Sequence, residues 1–275
     1  MKVSTEGMCR IRTSEDMTSS KGNQNKWNRN GVWYKADGLG YEALAEILVS
    51  RLLQKTNVGH FVNYEYELLE REGTFFHGCR SVDFMLPDDD KLVSVERLFQ
   101  AFEGESATKA ILKYPEMEDR IRYVAEKVEQ FTGLPSFGDC LRRILTVDAL
   151  FLNEDRHFHN LAVIRRQDGT YREAPVFDQG AALFSDVKGD YPLELKLEAC
   201  YERIQAKPFS VDFDRQLDAC EKLYGTARIR MWFTMGDVVR ILQEFRGIYE
   251  ERILDRVREV MRVQMRKYQY LLTDQ

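Results

Sequence analysis

The sequence predicts an α+β protein with a small, β-rich amino-terminal unit built around one helix and a larger, mostly helical remainder. Three observations predict it. Between residues 32 and 86, three runs rich in aromatic and β-branched residues surround a single apolar helical stretch. From Val93 onward the apolar residues recur at helical spacing. One β-type pair, from Leu161 to Gly180, interrupts the helical part.

The first thirty residues are polar, and SSKGNQNKWNRNG (Ser19 to Gly31) reads as a loop or tail. VWYKA (Val32 to Ala36) is a short strand. YEALAEILVSRLLQKT follows as a helix, with Leu44, Ile47, Leu48 and Leu52 on one face and Gly40 just before its start. Two strands come next, Phe61 to Glu70 and Gly73 to Leu86, turning at Arg71-Glu72-Gly73. Pro87-Asp88-Asp89-Asp90 breaks the chain, which divides it into units 1–86 and 87–275. VSVERLFQAFEG, EMEDRIRYVAEKVEQFTG and DCLRRILTVDALFL are then helices, as is most of Met235 to Leu272.

At 275 residues and 44% hydrophobic, the chain can bury the core of one large domain or two lobes. Its net charge of −5 argues against direct binding to nucleic acid. Five scattered cysteines without a CxxC spacing fit reduced thiols and a cytoplasmic setting. With no apolar leader and no run of spanning length, no membrane association is expected.

Chemistry concentrates in NEDRHFHNLAV (Asn153 to Val163), where an apolar helix runs into carboxylates, an arginine, two histidines and an asparagine. Beyond it, Asp168-Gly169 stands between two β-type runs and predicts a two-residue hairpin turn. In that register Gln167 faces Thr170, Leu161 faces Val176, Asn160 faces Phe177 and His159 faces Asp178. Asn160 and Asp178 then lie about 5–8 Å apart at the open end of the hairpin. Asp155 lies on the loop leading in. Two carboxylates and an amide form a hard-oxygen set suited to Mg²⁺ or Mn²⁺, which fill the rest of their shell with water and substrate phosphates. One carboxylate could instead accept a hydroxyl proton.

In order, Asp155-x-x-x-x-Asn160, a hairpin and Asp178-Gln179-Gly180 resemble the catalytic loop and metal-binding segment of protein kinases. The closer resemblance is to HipA-like serine/threonine kinases. Their catalytic loop is similar to Asn153-x-Asp155-Arg156-His157-x-x-Asn160, and their phosphate loop to Ser19-x-x-Gly22-x-Gln24-x-Lys26.

The resemblance implies a bilobal protein-kinase-like fold and an ATP- and Mg²⁺-dependent kinase acting on an intracellular protein, with autophosphorylation at Ser19 or Ser20. Lys35 would pair with the ATP phosphates, and Glu42 would hold Lys35, with Glu46 competing one turn later. Asp155 would deprotonate the acceptor hydroxyl, and Asn160 and Asp178 would hold Mg²⁺. His157 would support the loop by hydrogen bonding. The backbone of Ser81 to Pro87 would meet adenine, with Phe84 and Met85 among its apolar neighbours. An antitoxin partner is a further implication. With eighteen residues before Ser19, the chain resembles the compact, stand-alone form of the family. Gln179 replaces the phenylalanine of the kinase metal-binding segment, so regulation through that ring is not expected. The alternatives on the same fold are a small-molecule or lipid phosphotransferase and a nucleotide-binding pseudokinase or toxin module.

Overall fold

The computed structural model describes residues 9–10, 26–225 and 229–272. The expected phosphate-loop residues Ser19, Ser20, Gly22 and Gln24 lie outside the described residues.

A five-stranded sheet and one helix make the amino-terminal lobe. Strands β1 (Cys9–Arg10), β2 (Lys26–Arg29), β3 (Val32–Ala36), β4 (Glu65–Arg71) and β5 (Thr74–Val82) order themselves β1-β4-β5-β3-β2. β1 runs parallel to β4, and the other neighbours are antiparallel. Two of these strands correct the expectation of a polar loop or tail before residue 32. β2 exists because Asn30-Gly31 makes a two-residue turn with both residues at positive φ (51° and 75°). That backbone matches the twist of the flanking strands. Glu72-Gly73 repeats the device between β4 and β5, with φ of 52° and 77°.

Helix α1 (Glu42–Leu53) is buried along its whole length except at Arg51. An apolar helix with no solvent face needs cover on every side. The sheet covers one side of α1, and α8 (Met235–Gln243), from the far end of the chain, packs against it as well. Arg51 reaches Glu244 at 2.7 Å and Lys55 reaches Asp237 at 2.6 Å, which ties the two lobes together beside that contact.

The larger lobe is helical around α5 (Phe137–Phe151), which packs on α4 (Met117–Thr132), α7 (Phe213–Tyr224) and α9 (Glu251–Lys267). It also holds a second sheet, β6-β7-β8, made of Asp89–Ser94, Ala162–Arg166 and Tyr171–Glu173. β6 is a second correction. The expected helix from Val93 begins only at Val95, because Ser94 ends the strand and its side chain caps α2 (Val95–Phe102) by accepting from the Arg97 amide at 3.2 Å. The expected 86/87 junction falls between the two sheets.

The hairpin register is a third correction. Val163 pairs with Glu173 and Arg165 with Tyr171, one residue out of the expected register. The loop is three residues, Gln167 to Gly169, closed by the Arg166 amide on Thr170 O at 2.8 Å, with Gly169 at φ 86°. That is a turn followed by a glycine bulge, the other common way to close a hairpin at Asp-Gly. Pairing then stops at Glu173. Val176 turns away from Leu161 and bridges Phe61 instead.

Candidate active site

Lys35 lies on β3 opposite Cys79 and points into the seam between the lobes. Its ammonium is paired with Glu46 and stands 2.7 Å from Asp178 Oδ1. The Tyr64 hydroxyl is a third neighbour at 3.4 Å. Burial alone would push the lysine down, but Asp178 and Glu46 outweigh it and hold it well above its ordinary value. Burial likewise acts to raise Asp178, yet Lys35 holds that carboxyl well below the usual range. Glu46 is raised, first by burial, with Lys35 opposing and the Asp178 charge adding to the rise.

Glu42 does not make the expected pair with Lys35. Its carboxylate accepts the amides of Gly38, Leu39 and Gly40, the closest at 2.6 Å. A helical side chain leans toward its own amino terminus. From the first turn of α1 that lean delivers Glu42 to the preceding loop, and from the second turn it delivers Glu46 to Lys35.

The chain leaves α5 through Leu152, which takes a left-handed conformation at φ 57°. Arg156 then turns inward and is 1% exposed. Its Nε and Nη2 bind the two oxygens of buried Asp148 at 2.8 and 3.1 Å. Its Nη1 donates to Asn160 O at 2.9 Å and to Phe177 O at 3.0 Å. Asn153 donates to Asp148 at 3.1 Å and to Asp178 O at 3.2 Å. So Asn160 and Asp178 converge through a buried guanidinium and an amide, not through cross-strand pairing. Neither Asp148 nor the role of Arg156 emerged from the sequence. The available signal was a lone acid inside the apolar run LTVDALFL.

Asn160 Nδ2 donates to Asp155 O at 2.9 Å and approaches Asp155 Oδ2 at 3.5 Å. Asp178 sits at φ 62°, a conformation costing about 1–2 kcal/mol for most L-residues and tolerated best by Asn and Asp. Gln179 is buried. Its amide binds Glu46 Oε2 at 2.8 Å and its Nε2 binds Asp148 Oδ1 at 3.3 Å.

His157 does not support the loop through a ring hydrogen bond as expected. Both ring nitrogens are buried without a hydrogen-bond partner among the described residues, and Nε2 lies 3.7 Å from Asp155 Oδ2. Burial lowers its pKa, with the nearby Asp155 opposing. Its place in the loop is held by its backbone, whose amide donates to Asp155 O at 2.9 Å.

Phe84 and Met85 pack, half-buried, against Ala162, Ile164 and Ala174, with the rings of Phe84 and Phe177 5.7 Å apart. Asp83 anchors this segment on the sheet side by accepting Trp33 Nε1 at 3.1 Å, and the Asp89–Arg172 pair anchors it on the other. Arg172 also donates to Phe84 O at 3.2 Å.

Glu154, beside Asp155, accepts the Tyr191 hydroxyl at 2.6 Å, and burial pushes it up to about 7. Its unfolded value is near 4.5. A raised carboxyl contributes stability below that value and loses it as pH rises through the folded one. Glu154→Gln is therefore expected to gain on the wild type in unfolding midpoint as pH rises from about 5 to 8. Parallel midpoint curves would contradict the burial of this carboxylate.

No family model matches the chain, and no curated protein matches it. Among solved structures it is similar to the crystal structure of a Helicobacter pylori proinflammatory kinase, CtkA. The TM-score is 0.60 at 15% identity, over 94% of this chain and 92% of that one. The fold is kinase-like. The β-rich lobe with its single helix and the helical lobe correspond to the two lobes of that fold, and the Lys35–Glu46–Asp178 cluster lies at their seam. Among the described residues, no helix is long and apolar enough to cross a membrane.

Proposed function

We propose that this chain is an ATP- and Mg²⁺-dependent serine/threonine kinase of HipA-like type, which transfers the γ-phosphate to a protein hydroxyl and phosphorylates its own phosphate loop. The observation that carries this reading is the double engagement of Lys35, with Glu46 from α1 and with Asp178 from the loop after the hairpin. Kinase chemistry needs both the lysine–glutamate pair and the metal aspartate in place at once.

The donor set fits Mg²⁺. Asp178 and Asn160 offer hard oxygens at one mouth, and no group of three or more His, Cys, Asp or Glu among the described residues forms a metal cage by itself. Such a site is completed by water and phosphate oxygens. Bound Mg-ATP supplies the phosphoryl group and neutralises its charge. Lys35 binds the nucleotide phosphates, Asp155 orients the acceptor hydroxyl and takes its proton, and Asn160 fixes Asp155. In this reading the acceptor is a cytoplasmic protein, and an antitoxin is the proposed regulatory partner.

The test is the intact mass of the full chain after incubation with Mg-ATP, beside Asp155→Ala treated alike. Wild type is expected to gain one phosphate, mapping to Ser19 or Ser20, and Asp155→Ala to gain none. A wild type that phosphorylates neither itself nor casein would overturn the reading.

A further inference from the structure

Lys207 belongs to no motif in the sequence. It lies 52 residues beyond Asp155, on the link between α6 (Leu197–Arg203) and α7. Its Nζ nevertheless stands 3.4 Å from Asp155 Oδ1, and its charge is felt by Glu154 and His157 as well. A cation from a separate part of the lobe thus meets the catalytic loop where the acceptor hydroxyl must lie.

The link that carries it is fixed. Gln216, buried in α7, donates from Nε2 to Lys207 O at 3.1 Å and accepts at Oε1 from the Phe209 amide at 3.0 Å. The Ala206 amide closes the turn on Val211 O at 2.9 Å. The side chain itself is 48% exposed. A pinned root and a free tip are what a group needs if it is to be aimed yet able to change partners.

Two other described cations of the seam, Lys35 and Arg156, are already committed. Lys35 is buried between Glu46 and Asp178, and Arg156 is spent on Asp148 and two backbone carbonyls. Lys207 also stands at the rim of a surface groove of about 780 Å³, lined in part by Arg120, Gln205, Phe209, Val211 and Arg215. The groove leaves room for the polypeptide that carries the acceptor hydroxyl.

We propose that Lys207 is a further catalytic residue of the transfer site, binding the phosphoryl oxygens as the group passes from nucleotide to acceptor. The inference rests on the kinase reading above. In the step, the acceptor hydroxyl gives its proton to Asp155 and its oxygen forms the new bond to phosphorus. The bond from phosphorus to the bridging oxygen breaks, and that electron pair stays on the nucleoside diphosphate. The half-exposed ammonium, rooted beside Asp155 Oδ1, keeps its own proton and meets the phosphoryl oxygens, over which charge is spread in a loose transition state.

The experiment uses the full chain with Mg-ATP, and dephosphorylated casein as the probe acceptor. Lys207→Ala is expected to lower kcat about 100-fold, the usual worth of one donor aimed at developing charge. The KM for ATP and the affinity for Mg-ADP should stay within about threefold, because ground-state nucleotide binding does not use this group. Lys207→Arg should recover at least about tenfold of the loss, since it keeps the charge and the donors. An unchanged unfolding midpoint shows that the half-exposed lysine is not holding the fold. An active wild type with Lys207→Ala within about threefold of its kcat overturns the inference alone, and so does a loss confined to KM. A wild type silent toward casein, itself and water removes the kinase reading, and this inference with it.

Discussion

On the proposed kinase reading, Lys35→Met is expected to lower transfer from Mg-ATP by at least about 100-fold, because one preorganised cation at the phosphates is lost. The same substitution has a second, independent readout. It leaves buried Glu46 and half-buried Asp178 without the ammonium that both now face. Removing one member of a buried ion pair costs about 3–5 kcal/mol. The cost depends on pH in a defined direction. Asp178 is held below its ordinary 3.8, so its contribution to stability is present above that value and lost as pH falls through the lower folded one. Lys35 is held above 10.5, so its contribution is present below that value and lost as pH rises through the folded one. In the wild type both contributions persist from about pH 4 to about 10. In Lys35→Met the two carboxyls prefer to hold a proton, and the variant falls further behind as pH rises from about 4 to 8. Urea unfolding of both proteins across that range checks this, and a constant difference would sink the ion-pair assignment.

Arg156→Met is expected to cost about 3–5 kcal/mol, or roughly 6–20 °C in unfolding midpoint. The guanidinium makes four hydrogen bonds at full burial, two of them to a carboxylate with no solvent access. Without it Asp148 keeps only the weaker donors Asn153 and Gln179. A second variant separates charge from packing. Arg156→Met combined with Asp148→Leu removes both charges and should regain much of the loss, because an apolar pair of similar volume is often as stable as a buried ion pair. Recovery of stability should not bring recovery of transfer, since Asn160 O and Phe177 O remain without the donor that joins them. A single variant within about 1 kcal/mol of wild type would contradict the role given to Arg156.

Much of this architecture was legible in local pattern. The periodicity of α4 and α5, the apolar stripe of α1 and the turn at Glu72-Gly73 all follow from short-range rules. β2 lies in a run whose polar composition reads as a loop, although Asn30-Gly31 is as strong a hairpin signal as Asp168-Gly169. β6 was missed because DDKLVS carries too many charges to read as a strand. It is a strand because it lies at the edge of its sheet beside β7, with Lys91 and Asp90 turned to solvent. At the site, the order of Asp155, Asn160 and Asp178 was readable, but the means of their convergence was not. Arg156, Asp148 and Lys207 act through contacts that close only in three dimensions, and no spacing rule encodes a side chain that bridges two loops.

Gln179 has a consequence for chemical inhibition. Its backbone is tethered to α1 through Glu46, and its amide side chain to α5 through Asp148. A compound that needs the segment after Asp178 to swing outward would have to strip both tethers and expose Asp148. Selective ligands for this chain should therefore be sought among molecules that accept the closed arrangement and pack on Phe84 and Met85.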